Sequence, residues 1–276
     1  MATITLLHPE RAPAPLLQVD GVSLEYRTPE RVVRATERVS FELHAAERLV
    51  LLGPSGCGKS TLLQAIAGFI APREGEIRLA GRPVRAPGPD RALVFAEPDQ
   101  LAGWKTVRDN VAFPLLASRS LGPREAHERA LHWLHELGLA GCADAYPHQL
   151  PVGTLLRVAI ARALALQPRV LLMDDPFAGL AAPDGHRLRE DLLRLWEEAR
   201  FALVFATAAA DEALVLGSRI GVLSRHPGRL RAEIHNEHSG AAIDSTAFQL
   251  ALRRVQYVLF NEAPEGAGAL PGRRTA

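Results

Sequence analysis

The feature that most constrains this chain is the segment GPSGCGKST (53–61), which follows the apolar run RLVLLG (48–53) and leads into STLLQAIAGFI (60–70). The segment matches the pattern G-x-x-x-x-G-K-[ST]. A buried strand before it and a helix after it are the context in which this match indicates a phosphate-binding loop. The alternative is a glycine turn that contains a lysine by chance, and the flanking elements argue against it. The sequence therefore predicts a nucleotide site at the end of a buried strand.

Each residue type in this loop suits phosphate chemistry. The glycines allow the backbone to curl so that successive N–H groups point inward, and the start of the helix adds its positive end. Lys59 is expected to bridge the β- and γ-phosphates, and Ser60 to ligate Mg²⁺. The predicted nucleotide-binding residues of the loop are Gly53, Pro54, Ser55, Gly56, Cys57, Gly58, Lys59, Ser60 and Thr61.

Two further apolar runs complete a predicted core. VLLMD (170–174) reads as a second buried strand, and ALVFAT (202–207) as a third. Asp174 ends the second strand, where it is expected to hold Mg²⁺ through water, with Asp175 beside it; a simple helix cap is the alternative for Asp174. Alternation of strands with helical segments predicts a parallel sheet covered by helices on both faces.

The remaining segments have weaker patterns. LQVDGVSLEY (17–26) and RVVRATERVSFEL (31–43) alternate apolar and polar residues, as strands near a sheet edge do. Residues 107–166 are dominated by helical patterns, and REAHERALHWLHELGL (124–139) is the clearest. Its apolar side is predicted to include Leu131, Leu134 and Leu137. Two weaker strands and a final helix are predicted at 219–224, 229–234 and about 245–260.

Composition excludes several classes of protein. The 276 residues are 47% hydrophobic and 23% charged, and 32 basic against 31 acidic residues give a net charge of +1, so a nucleic-acid partner is not expected. Only two cysteines occur, Cys57 and Cys142, which favours a reducing compartment over a disulfide framework. No signal peptide is expected at the start, and the longest apolar stretch, 201–216, is too short to span a bilayer.

These motifs, in this order, resemble the ATP-binding subunit of an ABC transporter, from about Leu17 to about Phe260. Four segments are most similar to the nitrate, sulfonate and taurine importer group: GPSGCGKSTLL, WKTVRDNVAFPL (104–115), RVAIARALALQPRVLLMD (157–174) and DEAL (211–214). The resemblance implies an α/β fold: a P-loop NTPase (RecA-like) core with an antiparallel β subdomain and an inserted helical subdomain. The implied organisation is a flexible N-terminus (1–16), an ABC ATP-binding domain (17–240) with its helical subdomain at about 104–166, a C-terminal helical extension (241–261) and a disordered tail (262–276).

The resemblance also implies cofactors and partners. Two such subunits, as a homodimer or heterodimer, would sandwich ATP and Mg²⁺ between the phosphate loop of one and the signature loop of the other. Their closing and reopening would be passed to integral-membrane permease subunits, with a periplasmic or extracellular solute-binding protein involved indirectly. The chain would then be cytoplasmic and peripheral on the inner face of the membrane. Tyr26 lies where the family places an aromatic that stacks on adenine, although a plain strand tyrosine is an alternative.

The signature of this family departs from its usual form here. The family has L-S-G-G followed by Gln or Met at the start of a helix, whereas the same register gives LPVGT (150–154). Pro151 offers neither a hydroxyl nor an N–H, and Val152 places a branched side chain where the backbone should approach phosphate. Proline is tolerated in the first turn of a helix. We therefore expect the helix to form without the phosphate contact, unless Thr154 lends its hydroxyl.

Other positions depart in the same direction. Ala96 replaces the glutamine that ligates Mg²⁺, and Asp175 is one methylene shorter than the general-base glutamate. Ala181 replaces the aspartate that helps link the two sites. Ala208 and Ala209 replace a histidine–aspartate pair, and alanine has no group to donate. Gln100 is interpreted as an ordinary position of the family and not as a substitute for the missing glutamine.

Two functions remain open at this point: a working importer ATPase with unusual motifs, or a nucleotide-binding but hydrolysis-poor subunit with a structural or regulatory role. A misaligned motif does not easily explain six departures inside matching flanks, and one sequence does not separate natural from engineered changes. A role in DNA repair or translation is disfavoured by the single nucleotide domain and the neutral charge. We expect binding of ATP to persist and its hydrolysis to be attenuated, because the missing interactions act in the transition state.

Overall fold

The computed structural model describes residues 14–27, 32–95, 97, 100–237, 239 and 243–261. Within them the strands are β1 Leu17–Arg27, β2 Val32–Leu43, β3 Arg48–Leu52, β4 Glu74–Leu79, β5 Arg82–Pro83, β6 Arg91–Val94, β7 Val170–Asp174, β8 Ala202–Thr207, β9 Arg219–Leu223 and β10 Leu230–His235. The helices are α1 Lys59–Ala67, α2 Val107–Ala117, α3 Pro123–Glu136, α4 Val152–Ala165, α5 Ala182–Ala199, α6 Ala210–Leu216 and α7 Thr246–Phe260.

A six-stranded sheet forms the centre of the fold, in the order β10-β9-β3-β8-β7-β6. All neighbouring strands pair in parallel except β10, which runs antiparallel to β9. Successive residues of β3 serve opposite faces, since Val50 and Leu52 belong to one apolar core while Leu49 and Leu51 belong to the other. A strand buried on both faces explains the continuous apolar runs in the sequence. The predicted parallel α/β core is confirmed.

A second sheet packs against the first through α1 and contains four antiparallel strands in the order β2-β1-β4-β5. The alternating segments of the sequence become β1 and β2, and β2 lies at the sheet edge. Strands β4 and β5 were not among the predicted elements. Leu16, the last residue of the segment predicted to be flexible, is buried, and its N–H donates a 2.8 Å hydrogen bond to the carbonyl of Leu43. Residues 1–13 of that segment lie outside the described residues.

Helices α2, α3 and α4 form a cluster between β6 and β7 in the chain, and all three contact one another. One prediction for α3 is wrong. Leu134 and Leu137 are buried, but Leu131 is 43% exposed. The buried line of this helix runs through Ala126, Ala130 and Leu134, at steps of four residues, and Leu131 lies one position off that line.

The predicted late elements are present as β9, β10 and α7. Helix α7 packs on β9 and α6 and buries Phe248 and Val255. Its N-cap is Ser245, whose hydroxyl accepts a hydrogen bond from the N–H of Phe248. The predicted disordered tail, 262–276, lies outside the described residues. No helix in the described ranges combines the length and the apolar character needed to cross a bilayer.

Candidate nucleotide site

The glycine loop connects β3 to α1 at the carboxyl end of the central sheet. Gly56 and Gly58 have φ angles of 78° and 97°, in the left-handed region that favours glycine. Gly58 is also the N-cap of α1, and none of the described side chains caps this helix. The start of α1 therefore presents uncapped backbone N–H groups that can face an anion.

The back of the loop is held by two distant segments. A Cβ on Gly58 would lie 2.5 Å from the carbonyl oxygen of Ala35 in β2, and a Cβ on Gly228 would lie 2.1 Å from the carbonyl oxygen of Cys57. The backbone of the loop is thus pressed against β2 and the turn between β9 and β10. Cys57 is buried here, and burial raises the pKa of its thiol, which keeps it neutral.

Lys59 is held inside the loop. The residue is 8% exposed, and its Nζ donates hydrogen bonds of 2.8 Å and 3.1 Å to the carbonyl oxygens of Gly53 and Pro54. The ammonium group therefore sits at the centre of the curl, where a phosphate would enter. The predicted contact of Lys59 with the phosphates stays a prediction.

Ser60 and Asp174 come together from two elements of the core. Asp174 ends β7, and the Ser60 hydroxyl in the first turn of α1 lies near enough to its carboxylate to influence its pKa. Burial raises the pKa of Asp174, the Ser60 hydroxyl and the charge of Lys59 oppose that shift, and the charge of Asp175 adds to it. A neighbouring hydroxyl and carboxylate are hard oxygen donors of the kind Mg²⁺ prefers, and phosphate and water would complete its shell. The residues present fit the ion.

Asp175 takes a left-handed conformation, with φ 44°. Its N–H donates to the carbonyl of Ala206 at 2.8 Å, which fixes the turn directly after β7. Burial raises the pKa of its carboxyl group, against the opposing charge of Lys59. The carboxylate is therefore placed beside the phosphate loop, and the influence of Lys59 reaches it.

Glu212, which the sequence reasoning did not assign to the site, lies next to Asp175. The Thr207 hydroxyl donates a 2.7 Å hydrogen bond to Glu212 Oε2 and lies 3.5 Å from Asp175 Oδ1. Burial raises the pKa of Glu212 as well. The segment DEAL was noted in the sequence only as a family match, and its glutamate carried no signal of this contact.

The signature segment forms the start of α4, as predicted. Pro151 is the N-cap, with φ −61° and ψ 154°, and the helix begins at Val152, whose side chain is 51% exposed. A second acidic contact emerges here: a Cβ on Gly153 would lie 3.9 Å from Asp184 Oδ2, in the first turn of α5. The side chain of Asp184 thus lies beside the first turn of α4.

The other predicted departures lie in chain segments that follow core strands. Ala208 is exposed directly after β8, and the N–H of Ala209 donates to Thr207 Oγ1 at 3.0 Å. Ala181 is the exposed N-cap of α5 and provides no side-chain cap. Ala96 lies outside the described residues.

The side-chain amide of Gln100 bonds to the backbone of its own segment and not to the glycine loop. Its Nε2 donates to the carbonyl oxygens of Phe95 and Glu97 at 2.7 Å and 2.9 Å, and its Oε1 accepts from the Phe95 N–H at 3.3 Å. Arg162 in turn donates to the Gln100 carbonyl at 2.8 Å. The side chain closes the turn after β6 and is occupied by the backbone.

Tyr26 lies near the end of β1 with its side chain 48% exposed. It pairs with Val33 of β2, two residues before Ala35, which backs the glycine loop. The predicted adenine contact stays a prediction.

A phosphate-binding loop that joins a parallel strand to a helix, with an acidic residue ending another parallel strand of the same sheet, defines a P-loop nucleotide-binding protein. The family model of the ABC transporter matches residues 36–178, and the chain belongs to that family.

Relatives of known name fall into the group that the sequence resembles. The chain is 44% identical over 218 residues to the taurine import ATP-binding protein TauB of Rhizobium johnstonii, covering 79% of this chain and 82% of that one. It is 37% identical to the aliphatic sulfonates import ATP-binding protein SsuB of Bacillus cereus (80% and 86% covered) and 39% identical to the nitrate import ATP-binding protein NrtD of Synechococcus elongatus (79% and 80% covered). Among solved structures, a dimeric bacterial ABC transporter cassette superposes with a TM-score of 0.69 at 29% identity, covering 79% of this chain and 98% of that one.

Proposed function

We propose that this chain is the ATP-binding subunit of an ABC-type importer, which binds ATP with Mg²⁺ and hydrolyses it weakly. The observation that carries the proposal is the meeting of Lys59, Ser60 and Asp174 at the carboxyl ends of β3 and β7. Support for import comes from the relatives, which are named as import proteins for taurine, aliphatic sulfonates and nitrate.

Binding uses groups that are already in place. The free N–H groups at the start of α1 and the Lys59 ammonium would hold the phosphates, and Lys59 would exchange its acceptors on Gly53 and Pro54 for phosphate oxygens. Ser60 and Asp174 would hold Mg²⁺, which screens the charge of the phosphates when bound.

Hydrolysis needs groups that position water and contact the γ-phosphate, and these are shortened or missing. Asp175 is the remaining carboxylate at the general-base position, and a displacement of about 1 Å in a reacting group can cost about 100-fold in rate. Ala208, after β8, carries no donor. Loss of such donors lowers the stabilisation of the transition state more than the affinity for ATP.

The surface that would serve a second subunit is altered as well. The γ-phosphate held by a partner would meet Pro151, which has no N–H, and the exposed branched side chain of Val152. It would also approach Asp184 beside Gly153, and repulsion between two negative charges opposes such a contact. Both sites of a pair that includes this chain would therefore be impaired.

The partners we propose are integral-membrane permease subunits and a second ABC ATP-binding subunit, with a solute-binding protein acting indirectly. An exposed apolar surface at the start of the helical cluster supports a permease contact: Trp104 is 82% exposed and Phe113 is 49% exposed, with Lys105 Nζ 5.2 Å from the Phe113 ring. The chain would then act in the cytoplasm, peripheral on the inner face of the membrane.

A second candidate function is a hydrolysis-deficient nucleotide-binding subunit with a structural or regulatory role in a heteromeric ABC complex. It is favoured by the altered start of α4, because Pro151, Val152 and Asp184 oppose catalysis in the partner's site as well. In this case ATP would stabilise the closed pair without being consumed.

A paired measurement tests the proposal and separates the two candidates. ATP affinity and steady-state ATPase activity are measured on the same sample, each against Lys59→Ala. We expect the wild type to bind ATP and to hydrolyse it slowly, and Lys59→Ala to lose both the binding and the hydrolysis. Binding without turnover above that of the variant would support the regulatory subunit, and equal affinity in both proteins would refute the nucleotide site.

A further inference from the structure

A cavity of about 430 Å³ lies where the antiparallel sheet meets the amino ends of β6 and β7. Three arginines from three different elements line it: Arg82 in β5, Arg91 at the start of β6 and Arg169 directly before β7. Asp90 is the acidic residue among its lining residues. The three guanidinium groups therefore outnumber the one carboxylate among the residues that line this cavity.

Arg91 forms the buried wall of this cavity. Its side chain is 8% exposed, Nη1 lies 2.9 Å from Asp90 Oδ1, and Nη2 donates a 2.6 Å hydrogen bond to the Ala86 carbonyl. Its Nε is buried and has no hydrogen-bond partner among the described residues, and Asp90 Oδ1, although 2.9 Å from Nη1, is likewise buried without an aligned donor. A buried donor without an acceptor is costly, so this guanidinium is not fully satisfied by its own chain.

The other two arginines are exposed and face the same space. Within the described ranges the side chains of Arg82 and Arg169 make no hydrogen bond or ion pair. The backbone of Arg169 is nonetheless fixed, because its N–H donates to the Asp90 carbonyl at 2.9 Å. Like charges at short range repel each other, and an anion between them relieves that repulsion.

We propose that this arginine cavity binds an oxyanion, either free or as the terminal group of a small organic molecule. Arg82 and Arg169 would be the movable ligands and Arg91 the fixed one. Guanidinium groups offer paired N–H donors that match two oxygens of a sulfate or phosphate group.

The site is distinct from the nucleotide loop. Arg169 stands at the amino end of β7 and Asp174 at its carboxyl end. At about 3.3 Å per residue, about 16 Å of strand separates them.

The test is a calorimetric titration of inorganic sulfate into the full chain at constant ionic strength, with chloride as the dilution control. It compares the wild type, Lys59→Ala, the double variant Arg82→Gln/Arg169→Gln, and the matched control Arg253→Gln/Arg254→Gln, which removes two exposed charges from α7. Thermal melts check the folding of each variant. No nucleotide turnover is needed, so failure here is separable from failure of the proposed function.

We expect saturable sulfate binding to remain in Lys59→Ala, which removes anion binding by the nucleotide loop. The α7 control is expected to bind sulfate as the wild type does, and the Arg82→Gln/Arg169→Gln variant to bind it at least about tenfold more weakly at the site that Lys59→Ala retains. Binding that disappears in Lys59→Ala would assign the anion to the nucleotide loop and overturn the proposal. Equal weakening in the α7 control, or no saturable binding to the wild type, would overturn it too.

A second titration identifies the source of the oxyanion. It compares inorganic phosphate with glycerol 3-phosphate, a soluble analogue of a lipid headgroup. Tighter binding of the ester, lost in the Arg82→Gln/Arg169→Gln variant, supports an organic phosphate ligand, and equal binding supports a free oxyanion. If neither compound discriminates between the wild type and that variant, the assignment is refuted.

Discussion

The hydroxyl of Thr207 donates a 2.7 Å hydrogen bond to Glu212 Oε2, linking the end of β8 to the first turns of α6. The same oxygen accepts the N–H of Ala209 at 3.0 Å. Asp175 Oδ1 lies 3.5 Å away, so this one hydroxyl connects two half-buried carboxyl groups beside the phosphate loop. The contact organises the segment in which Ala208 replaces the histidine of the family.

Removal of this hydroxyl is expected to destabilise the fold. In Thr207→Val, Glu212 and the Ala209 N–H lose a partner, and a buried polar group left unpaired costs about 1–3 kcal/mol. The unfolding free energy is measured by urea denaturation. Thr207→Ser is the control, because it keeps the hydroxyl. Equal losses in both variants would mean that packing of the methyl group, and not the hydrogen bond, matters here.

The buried carboxyl group of Glu212 predicts a pH dependence of stability. Because burial raises its pKa above the ordinary 4.5, the folded state holds the proton more tightly than the unfolded state. The resulting stabilisation is fully present below about pH 4.5 and is lost as the pH rises through the folded pKa. Glu212→Gln has no such proton to lose.

We therefore expect Glu212→Gln to gain stability relative to the wild type as the pH is raised from about 4 to 8. Urea denaturation at a series of pH values measures the difference. Asp174 and Asp175 shift in the same direction and are present in both proteins. The charge of Asp175 adds to the rise at Glu212, so the difference between the proteins reports Glu212 together with this coupling. Parallel stability curves for the two proteins would rule out a raised pKa at Glu212.

Gly228 is expected to control nucleotide affinity from outside the loop. In Gly228→Ala the new Cβ would lie 2.1 Å from the carbonyl oxygen of Cys57, so the loop backbone has to move. We expect ATP to bind at least about tenfold more weakly and the unfolding free energy to fall by about 1–3 kcal/mol. A fluorescent ATP analogue measures the first and urea denaturation the second.

The matched control for this change is Gly141→Ala, because a Cβ at Gly141 meets nothing within 4 Å. That variant is expected to keep the affinity of the wild type. Unchanged affinity in Gly228→Ala would show that the loop accommodates the methyl group, and a loss in both variants would point to a general effect on folding.

Restoring the missing groups is expected to raise turnover. Asp175→Glu combined with Ala208→His lengthens the base and adds a donor, and we expect about 100-fold faster phosphate release at saturating ATP. Lys59→Ala in the restored background must abolish the gain. If the double variant hydrolyses ATP no faster than the wild type, residues 175 and 208 are not what slows hydrolysis.

Local sequence patterns predicted the core well, because burial on both faces requires continuous apolar residues. VLLMD and ALVFAT coincide with β7 and β8, and the glycine loop follows β3 as expected. Helical periodicity predicted burial less well on α3, where Leu131 is apolar but lies on an exposed side of the helix.

Contacts between segments that are far apart in the chain could not be predicted from the sequence. Gly228 and Cys57 lie 171 positions apart, and Asp184 reaches Gly153 from another helix. Neither pair has a local pattern, since both are produced by the order in which the strands assemble. Glu212 was visible in the sequence, but only the fold places it beside Thr207.

The two carbonyl groups that accept hydrogen bonds from Lys59 determine at which stage its ammonium group loses water. A solvent-exposed lysine loses its hydration shell when a phosphate binds. The ammonium group of Lys59 loses it earlier, when the protein folds. Nucleotide affinity in this chain is thereby linked to the integrity of the loop: a change that turns the carbonyl of Gly53 or Pro54 away would return Lys59 to solvent and weaken ATP binding, although the Lys59 side chain itself is unchanged.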